Sequence, residues 1–274
     1  MLGDILSLVR QRVQHILRVS GLLGAAEKVR YFGTVAKLYR KTKLFHSLNP
    51  DFKVPPRALA YDAYSAPDWD FYKTSGSETA AFLLGVVQRY LPRDVATRVL
   101  EWGCGPARVV RHIPSAFGLT AEVYGSDYNP ETIQWCTQAI PEIRFNLNGL
   151  LPPLTFPDGF FDFVYSISVF THLSESVIHQ WIDELCRITH SGSIVVITTN
   201  GDSSLAKLLP DELATYKDRG VVVRGNVEEG KRAFSSYQSP AYLRELLAGR
   251  FEVLELAAAS FPYTGQDMWI LRKP

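Results

Sequence analysis

The chain has 274 residues, of which 46% are hydrophobic and 21% charged, which is enough apolar material for one substantial core. No stretch approaches the roughly 20 apolar residues that cross a bilayer, and no basic start followed by an apolar run marks a secretory leader. The three cysteines are scattered and show neither a disulfide framework nor a zinc spacing, so we expect a cytoplasmic protein without a metal site.

Charge is distributed unevenly along the chain. Residues 1–44 hold nine Lys/Arg against two acids, a net of +7, and the remainder has a net of −6. Apolar spacing over residues 2–47 predicts two or three helices with a break at Ser20-Gly21. Two interpretations are open. The helices pack on the rest of the molecule or on a partner chain, or they form a basic surface that contacts anionic lipid at the membrane periphery.

A change in composition separates this basic end from the rest of the chain. Prolines and polar residues predict a linker over 49–69, and a helix is predicted to open at Ser77 and to lead into the first strand. We therefore predict a helical N-terminal extension and linker over residues 1–74 and a single α/β domain over residues 75–274.

Strands and helices alternate through most of the predicted domain. Such alternation, with strongly apolar strands, predicts a parallel sheet covered on both faces. The last two predicted strands, 251–256 and 267–272, are joined by a loop too short for a crossover helix, so they must pair antiparallel. The other predicted strands are 97–102, 121–127, 143–148, 161–167 and 193–199, and a helix is predicted over 175–188.

The first predicted strand ends in a turn, Glu101-Trp-Gly-Cys-Gly-Pro-Ala107. Gly103 and Gly105 allow the backbone to turn sharply and to approach a ligand, so a side chain at position 103 is expected to intrude into ligand space. A helix is predicted to begin at Pro106. A dinucleotide fingerprint would need a third glycine at position 108, which is Arg, so pyrophosphate binding is disfavoured.

This turn resembles motif I of the class I S-adenosylmethionine-dependent methyltransferases, with Ala107 in place of a frequent third glycine. Four other segments resemble motifs of the same family, and the resemblance covers about residues 75–273. It implies a Rossmann-like α/β fold with a seven-stranded sheet that ends in an antiparallel hairpin. The matching segments are Asp127-Tyr-Asn-Pro, Asn148-Gly-Leu-Leu-Pro, Ser166-Ile-Ser-Val-Phe-Thr-His-Leu173 and the tail 265–273.

The resemblance implies S-adenosyl-L-methionine as the cofactor. Asp127 ends the second strand, where a carboxylate can accept both hydroxyls of a ribose, with a helix cap as the alternative role. Asn148 stands where aspartate is usual, and its carbonyl oxygen can still meet an adenine amino group. Cys104 suits the turn as a small residue, with a nucleophile as the alternative. The predicted cofactor-binding residues are Glu101, Gly103, Cys104, Gly105, Asp127, Tyr128, Asn148, Gly149, Leu150, Ser166 and Ile167.

Residues near the ends of later strands are predicted to face the methyl acceptor. His172 is either a general base for a hydroxyl acceptor or a residue that orders its loop. Ser168, Tyr263, Gln266 and Asp267 are predicted to contact the acceptor, although Asp267 could instead pin the hairpin. The connection over residues 200–239 is long enough to predict a lid or binding loop.

The predicted function is methyl transfer by in-line displacement to a small-molecule, sugar or lipid-linked acceptor, through O-methylation. An inactive S-adenosylmethionine-binding scaffold is the first alternative. A nicotinamide-dependent oxidoreductase is a weaker one, because Arg108 breaks the fingerprint and no segment remains for a substrate domain. Nucleic acid is not an expected partner, since the sheet domain is net acidic. No motif encodes the oligomeric state.

Overall fold

The computed structural model describes Ile16 and residues 20–91, 98–118 and 121–274. Apart from Ile16, the first helix predicted within residues 2–17 lies outside this range. The predicted break is confirmed, because Ser20 and Gly21 form a turn. It is followed by one long helix, α1 (Leu23–Leu48). No helix in the described part of the chain is both long and apolar enough to cross a membrane.

The linker predicted over residues 49–69 is wrong. It contains the helix α2 (Arg57–Tyr64), and α3 (Trp69–Tyr90) begins before the predicted start at Ser77. The Asp68 carboxylate caps α3 by accepting a hydrogen bond of 3.2 Å from the Phe71 amide. The boundary predicted between residues 74 and 75 therefore falls inside α3.

The described residues form a seven-stranded sheet and a separate hairpin. The order in the sheet is β3-β2-β1-β4-β5-β9-β8, with β1 to β5 parallel and β9 antiparallel to both neighbours. The predicted seven-stranded sheet and terminal antiparallel hairpin are thus confirmed. The strands are β1 (Arg98–Trp102), β2 (Glu122–Asp127), β3 (Arg144–Leu147), β4 (Phe161–Ser166), β5 (Thr189–Thr199), β6 (Val221–Arg224), β7 (Ser235–Gln238), β8 (Glu252–Ala257) and β9 (Asp267–Arg272).

Helices cover both faces of the sheet. Successive residues of a strand point to opposite faces, so Leu100 of β1 packs in one layer with Trp181, whereas Val99 packs in the other with Leu83 of α3. The remaining helices are α4 (Ile113–Phe117), α5 (Pro130–Ala139), α6 (Glu175–Ile188), α7 (Pro210–Arg219) and α8 (Pro240–Leu247).

The order of the strands places a crevice at one edge of the sheet. The chain runs from β1 to β2 and β3 on one side and to β4 and β5 on the other. Connections that leave β1 and β4 therefore diverge, and ligands of open α/β sheets bind at such a switch point, outside the carboxyl ends of the strands.

The connection over residues 200–239 is an ordered insertion with its own small core. It consists of a 3₁₀ turn, Asp202–Lys207, followed by α7 and the β6–β7 hairpin. Tyr216 of α7 packs on Val222 and Tyr237 of the hairpin. Asn200 attaches the hairpin to the end of β5, because its side-chain amide donates to the Ser236 carbonyl at 3.1 Å.

Candidate active site

A cavity of about 330 Å³ lies at the carboxyl ends of β1, β2 and β4. Its floor is the glycine turn after β1, and its far wall comes from α2, from the insertion and from the loop between β8 and β9. The lining includes Glu101 to Pro106, Arg108, Asp127 to Asn129, Asn148 to Leu150, Ile167 to Val169 and His172, opposite Leu59, Asp62, Ala63, Tyr64, Gly230, Arg232, Tyr263 and Thr264.

The glycine turn is held against the end of β2. The amides of Gly103 and Cys104 both donate to the Ser126 carbonyl, at 2.8 and 2.9 Å. The backbone has positive φ at Gly103 (75°), Gly105 (49°) and Ala107 (57°), so the third glycine frequent in the family corresponds to a left-handed residue here. The helix predicted from Pro106 is wrong, since turns continue from residue 105 to 109 and α4 begins only at Ile113.

The Glu101 carboxyl group is buried beneath this turn. Its Oε2 accepts from the Val110 amide at 2.8 Å and from the Tyr165 hydroxyl at 3.1 Å, and Tyr165 is the register partner of Glu101 on β4. Burial raises the pKa of Glu101 to about 8, against the opposing effects of Arg108 and of these two donors. Glu101 therefore holds the turn together while it also lines the cavity.

Asp127 joins the turn to the next helix. Its two carboxylate oxygens accept from the Gly105 and Asn129 amides, each at 2.9 Å. The cap of α5 is supplied by Asn129, whose side chain accepts from the Thr132 amide at 3.1 Å. Burial raises the pKa of Asp127. Each carboxylate oxygen has a second lone pair, so Asp127 keeps acceptor capacity toward the cavity.

Asn148 presents an unused acceptor on the wall after β3. Its amide nitrogen donates to the Gly149 carbonyl at 2.7 Å. Its Oδ1 is buried and has no hydrogen-bond partner among the described residues. A buried polar atom without a partner costs about 1–3 kcal/mol, so this oxygen is suited to a ligand that brings an N–H group.

Arg108 and Tyr64 form a second polar corner of the cavity, which was not predicted from the sequence. Arg108 is buried, donates to the Ser75 hydroxyl at 3.0 Å, and has its guanidinium carbon 5.5 Å from the Tyr64 ring centroid. The Tyr64 hydroxyl is buried without a partner among the described residues, and it lies 3.4 Å from the point that a Cβ on Gly105 would occupy. In the sequence, Arg108 indicates only that a dinucleotide fingerprint is absent, and Tyr64 lies within the predicted linker.

His172 lies in a 3₁₀ turn, Phe170–His172, and faces the same cavity. Its Nδ1 is 2.7 Å from the Phe234 carbonyl oxygen. A carbonyl can only accept, so Nδ1 carries the proton and Nε2 of the neutral ring is an acceptor. Burial lowers the pKa of His172. The residue thus anchors the insertion to its own turn and also presents an unprotonated nitrogen.

The four residues predicted to contact an acceptor separate into two pairs. Ser168 and Tyr263 line the cavity. Gln266 and Asp267 do not. The Gln266 side-chain oxygen accepts from Ser168 at 2.9 Å, and Asp267 accepts from the Ala259 amide at 2.9 Å, so Asp267 pins the loop of the hairpin. Both residues are buried at the start of β9, and their side chains form hydrogen bonds within the protein.

Ser166 is also absent from the cavity wall. It is buried at the end of β4, and its hydroxyl has no partner among the described residues. The other predicted cofactor-binding residues, from Glu101 to Ile167, all line the cavity.

A family model described as a methyltransferase domain matches residues 99–192. That segment contains the glycine turn, Asp127, Asn148 and His172. Over this segment, which is about a third of the chain, the protein is similar to methyltransferase domains.

Curated relatives of this chain match over limited lengths. A protein of Oryza sativa subsp. japonica, described as a probable chloroplastic tocopherol O-methyltransferase, is 29% identical over 129 residues, 43% of this chain and 34% of the relative. A 2-methyl-6-phytyl-1,4-hydroquinone methyltransferase of Synechocystis sp. is 29% identical over 104 residues, 37% and 31% respectively. The chain thus spans about a third of the length of these relatives.

A solved structure shares the fold of this chain. It is a SAM-dependent methyltransferase from Methanosarcina mazei, 21% identical, with a TM-score of 0.54 over 69% of this chain and 96% of that chain. At this identity, the match shows a shared fold alone.

Proposed function

We propose that this protein is a methyltransferase that transfers the methyl group of S-adenosylmethionine to a hydroxyl group of a small organic acceptor. The observation that carries the proposal is one cavity in which the glycine turn, Asp127 and Asn148 adjoin His172 and Ser168. The cofactor, when bound, supplies an electrophilic methyl group on a sulfonium. The protein then has to position an acceptor atom in line with that methyl group and to exclude water.

The nucleoside end of the cofactor is assigned to the wall after β2 and β3. Asp127 has free lone pairs beyond its two amide contacts, which suit the paired hydroxyls of a ribose. The unpartnered oxygen of Asn148 suits an adenine amino group, and Gly149 lines the cavity beside it.

The amino-acid end of the cofactor is assigned to the corner formed by Arg108 and Tyr64. This end carries a carboxylate and an ammonium group. A buried guanidinium whose nearest hydrogen-bond partner is the neutral Ser75 hydroxyl suits a carboxylate, and the unpartnered Tyr64 hydroxyl can donate to it. Glu101 lines the same cavity and is proposed to meet the ammonium group.

His172 is the proposed general base. If an acceptor hydroxyl displaced the thioether from the sulfonium methyl group, the O–C bond would form as the S–C bond broke, and Nε2 of His172 would take the hydroxyl proton. The Nδ1–H bond to the Phe234 carbonyl would stabilise the resulting imidazolium. The lowered pKa of His172 keeps the ring neutral before the reaction at physiological pH. Ser168, held by Gln266, and Tyr263 form the nearby wall for the acceptor.

The acceptor is proposed to be a small molecule with a phenolic or alcoholic hydroxyl. The names of the two curated relatives, which refer to tocopherol and to a phytyl hydroquinone, support a phenolic, lipid-linked acceptor. Sugars and lipid-linked glycans carry the same reacting group and are the alternative acceptors.

Isothermal titration calorimetry with two ligands tests the assignment of the two ends. S-adenosylhomocysteine contains both ends, whereas 5′-methylthioadenosine lacks the carboxylate and the ammonium group. Arg108→Ala should weaken S-adenosylhomocysteine binding by about 1.5–3 kcal/mol, the value of a charged hydrogen bond, and leave methylthioadenosine binding unchanged. Asn148→Ala should weaken both ligands. Equal losses for both ligands in Arg108→Ala would contradict the assignment.

Two outcomes separate the rival functions. A protein that binds NADH but not S-adenosylhomocysteine would be an oxidoreductase-type binder and would refute the proposal. A protein that binds S-adenosylhomocysteine but releases none when incubated with S-adenosylmethionine and panels of phenols, polyols and glycans would be a scaffold.

A further inference from the structure

The outer face of α1 exposes large apolar side chains. Val29, Phe32 and Tyr39 are 75%, 68% and 62% exposed, and their spacing places them on one side of the helix. The inner face is also apolar, because Phe45 is buried among Ala60, Trp69 and Tyr72. A helix packed on a domain ordinarily turns polar residues to water. The outer face of α1 is therefore suited to a further partner.

The charges around this face are of one sign. Between Leu23 and Leu48 the sequence has six Lys/Arg and a single acid, Glu27. Glu27 forms ion pairs within the protein, with Arg232 and with Arg30. Lys41 pairs with Asp68. The other basic residues, Lys28, Lys37, Arg40 and Lys43, are exposed and form no ion pair with any described residue.

We propose that α1 lies on the surface of an anionic lipid bilayer. Val29, Phe32 and Tyr39 enter the boundary between headgroups and acyl chains, and Lys28, Arg40 and Lys43 contact the lipid phosphates. A helix of 26 residues is about 39 Å long, which is long enough to lie along the interface. A nucleic acid would neutralise the same lysines and arginines, but it would leave the apolar side chains in water. The combination of apolar stripe and basic border thus favours lipid.

This surface is directly connected to the cavity wall. Glu27, in the second turn of α1, pairs with Arg232, which lines the cavity, and it accepts from the Tyr61 hydroxyl at 3.0 Å. When α1 lies on a bilayer, the ion pair between Glu27 and Arg232 links the lipid-bound helix to the cavity wall. The proposal concerns binding to the surface, so it stands or fails independently of the proposed methyl transfer.

Vesicle sedimentation of the full chain tests the proposal. The two probes are vesicles of phosphatidylcholine alone and an equimolar mixture of phosphatidylcholine and phosphatidylglycerol. The wild-type protein should sediment with the anionic vesicles, and less so as salt rises. The double variant Val29→Asp/Phe32→Asp should lower the partition coefficient by at least about tenfold. Lys28→Gln/Arg40→Gln/Lys43→Gln should lower it by about fivefold per residue on anionic vesicles only.

The matched control is Val223→Asp, which changes an exposed valine of β6, 38% accessible and remote from α1 in sequence. It should sediment like the wild type, and thermal unfolding should show that every variant keeps its fold. Equal sedimentation with both vesicle types, or an equal loss in Val223→Asp, would overturn the proposal. Sedimentation velocity covers the remaining outcome: a dimer that Val29→Asp/Phe32→Asp dissociates, without vesicle binding, would show that a second copy covers this face.

Discussion

Replacing Gly103 by alanine is expected to strain the turn at the floor of the cavity. A Cβ at this position would lie 2.1 Å from Cγ2 of Val169, whereas carbon atoms in contact are about 3.5–4.0 Å apart. The backbone φ of 75° adds a second penalty, about 1–2 kcal/mol for a residue with a side chain. With the overpacking term of about 1–3 kcal/mol, Gly103→Ala should destabilise the ligand-free protein by about 2–5 kcal/mol.

Urea unfolding of the wild type, Gly103→Ala, Val169→Ala and the double variant measures this effect. Removing the Val169 methyl groups should relieve the clash and leave only the backbone penalty, so the double-mutant cycle should give a coupling of about 1 kcal/mol or more. The reasoning is refuted if the two single changes are additive. The structure also revises the expectation that a side chain at 103 intrudes first into ligand space, because it meets Val169 before any ligand.

Three further predictions concern carboxylates and His172 at the site. Asp127→Ala should weaken S-adenosylhomocysteine binding by about 1.5–3 kcal/mol in calorimetry. It should also lower the melting temperature of the ligand-free protein, because the Gly105 and Asn129 amides lose their acceptor; an unchanged melting temperature would contradict those contacts. Burial raises the pKa of Glu101 from 4.5 to about 8, so the folded state retains a proton that the unfolded state releases. The stability from this group is therefore lost as pH rises from 4.5 through about 8, and urea unfolding of Glu101→Gln should show a flatter pH profile over that window. The pKa of His172 is lowered from 6.5, so turnover should fall only when the pH drops below 6.5. His172→Gln should reduce kcat by about a hundredfold or more without weakening the binding of S-adenosylhomocysteine. An unaffected kcat would leave His172 with a structural role alone.

Sequence alone determined the elements whose signals are local. The period-two and period-3.6 patterns were strong enough that the predicted helix 175–188 and strand 267–272 coincide with the observed α6 and β9. The antiparallel end of the sheet followed from the length of one loop, since a parallel crossover needs more residues. The glycine turn was also predictable, because Gly103 and Gly105 occupy backbone conformations that other residues rarely adopt.

Tertiary structure decided which side chains face the cavity and which are used inside the protein. Tyr64, Arg108 and Arg232 reach one cavity from three distant segments, and no local spacing encodes how those segments pack together. Prolines near α2 suggested a linker, although Asp68 and the buried aromatic cluster around Trp69 favour helices there. Gln266, like Asp267, has the polar chemistry of an acceptor contact, yet it is held within the protein. Polar residue types are common to ligand contacts and to internal hydrogen bonds, and only the positions of their partners distinguish the two roles.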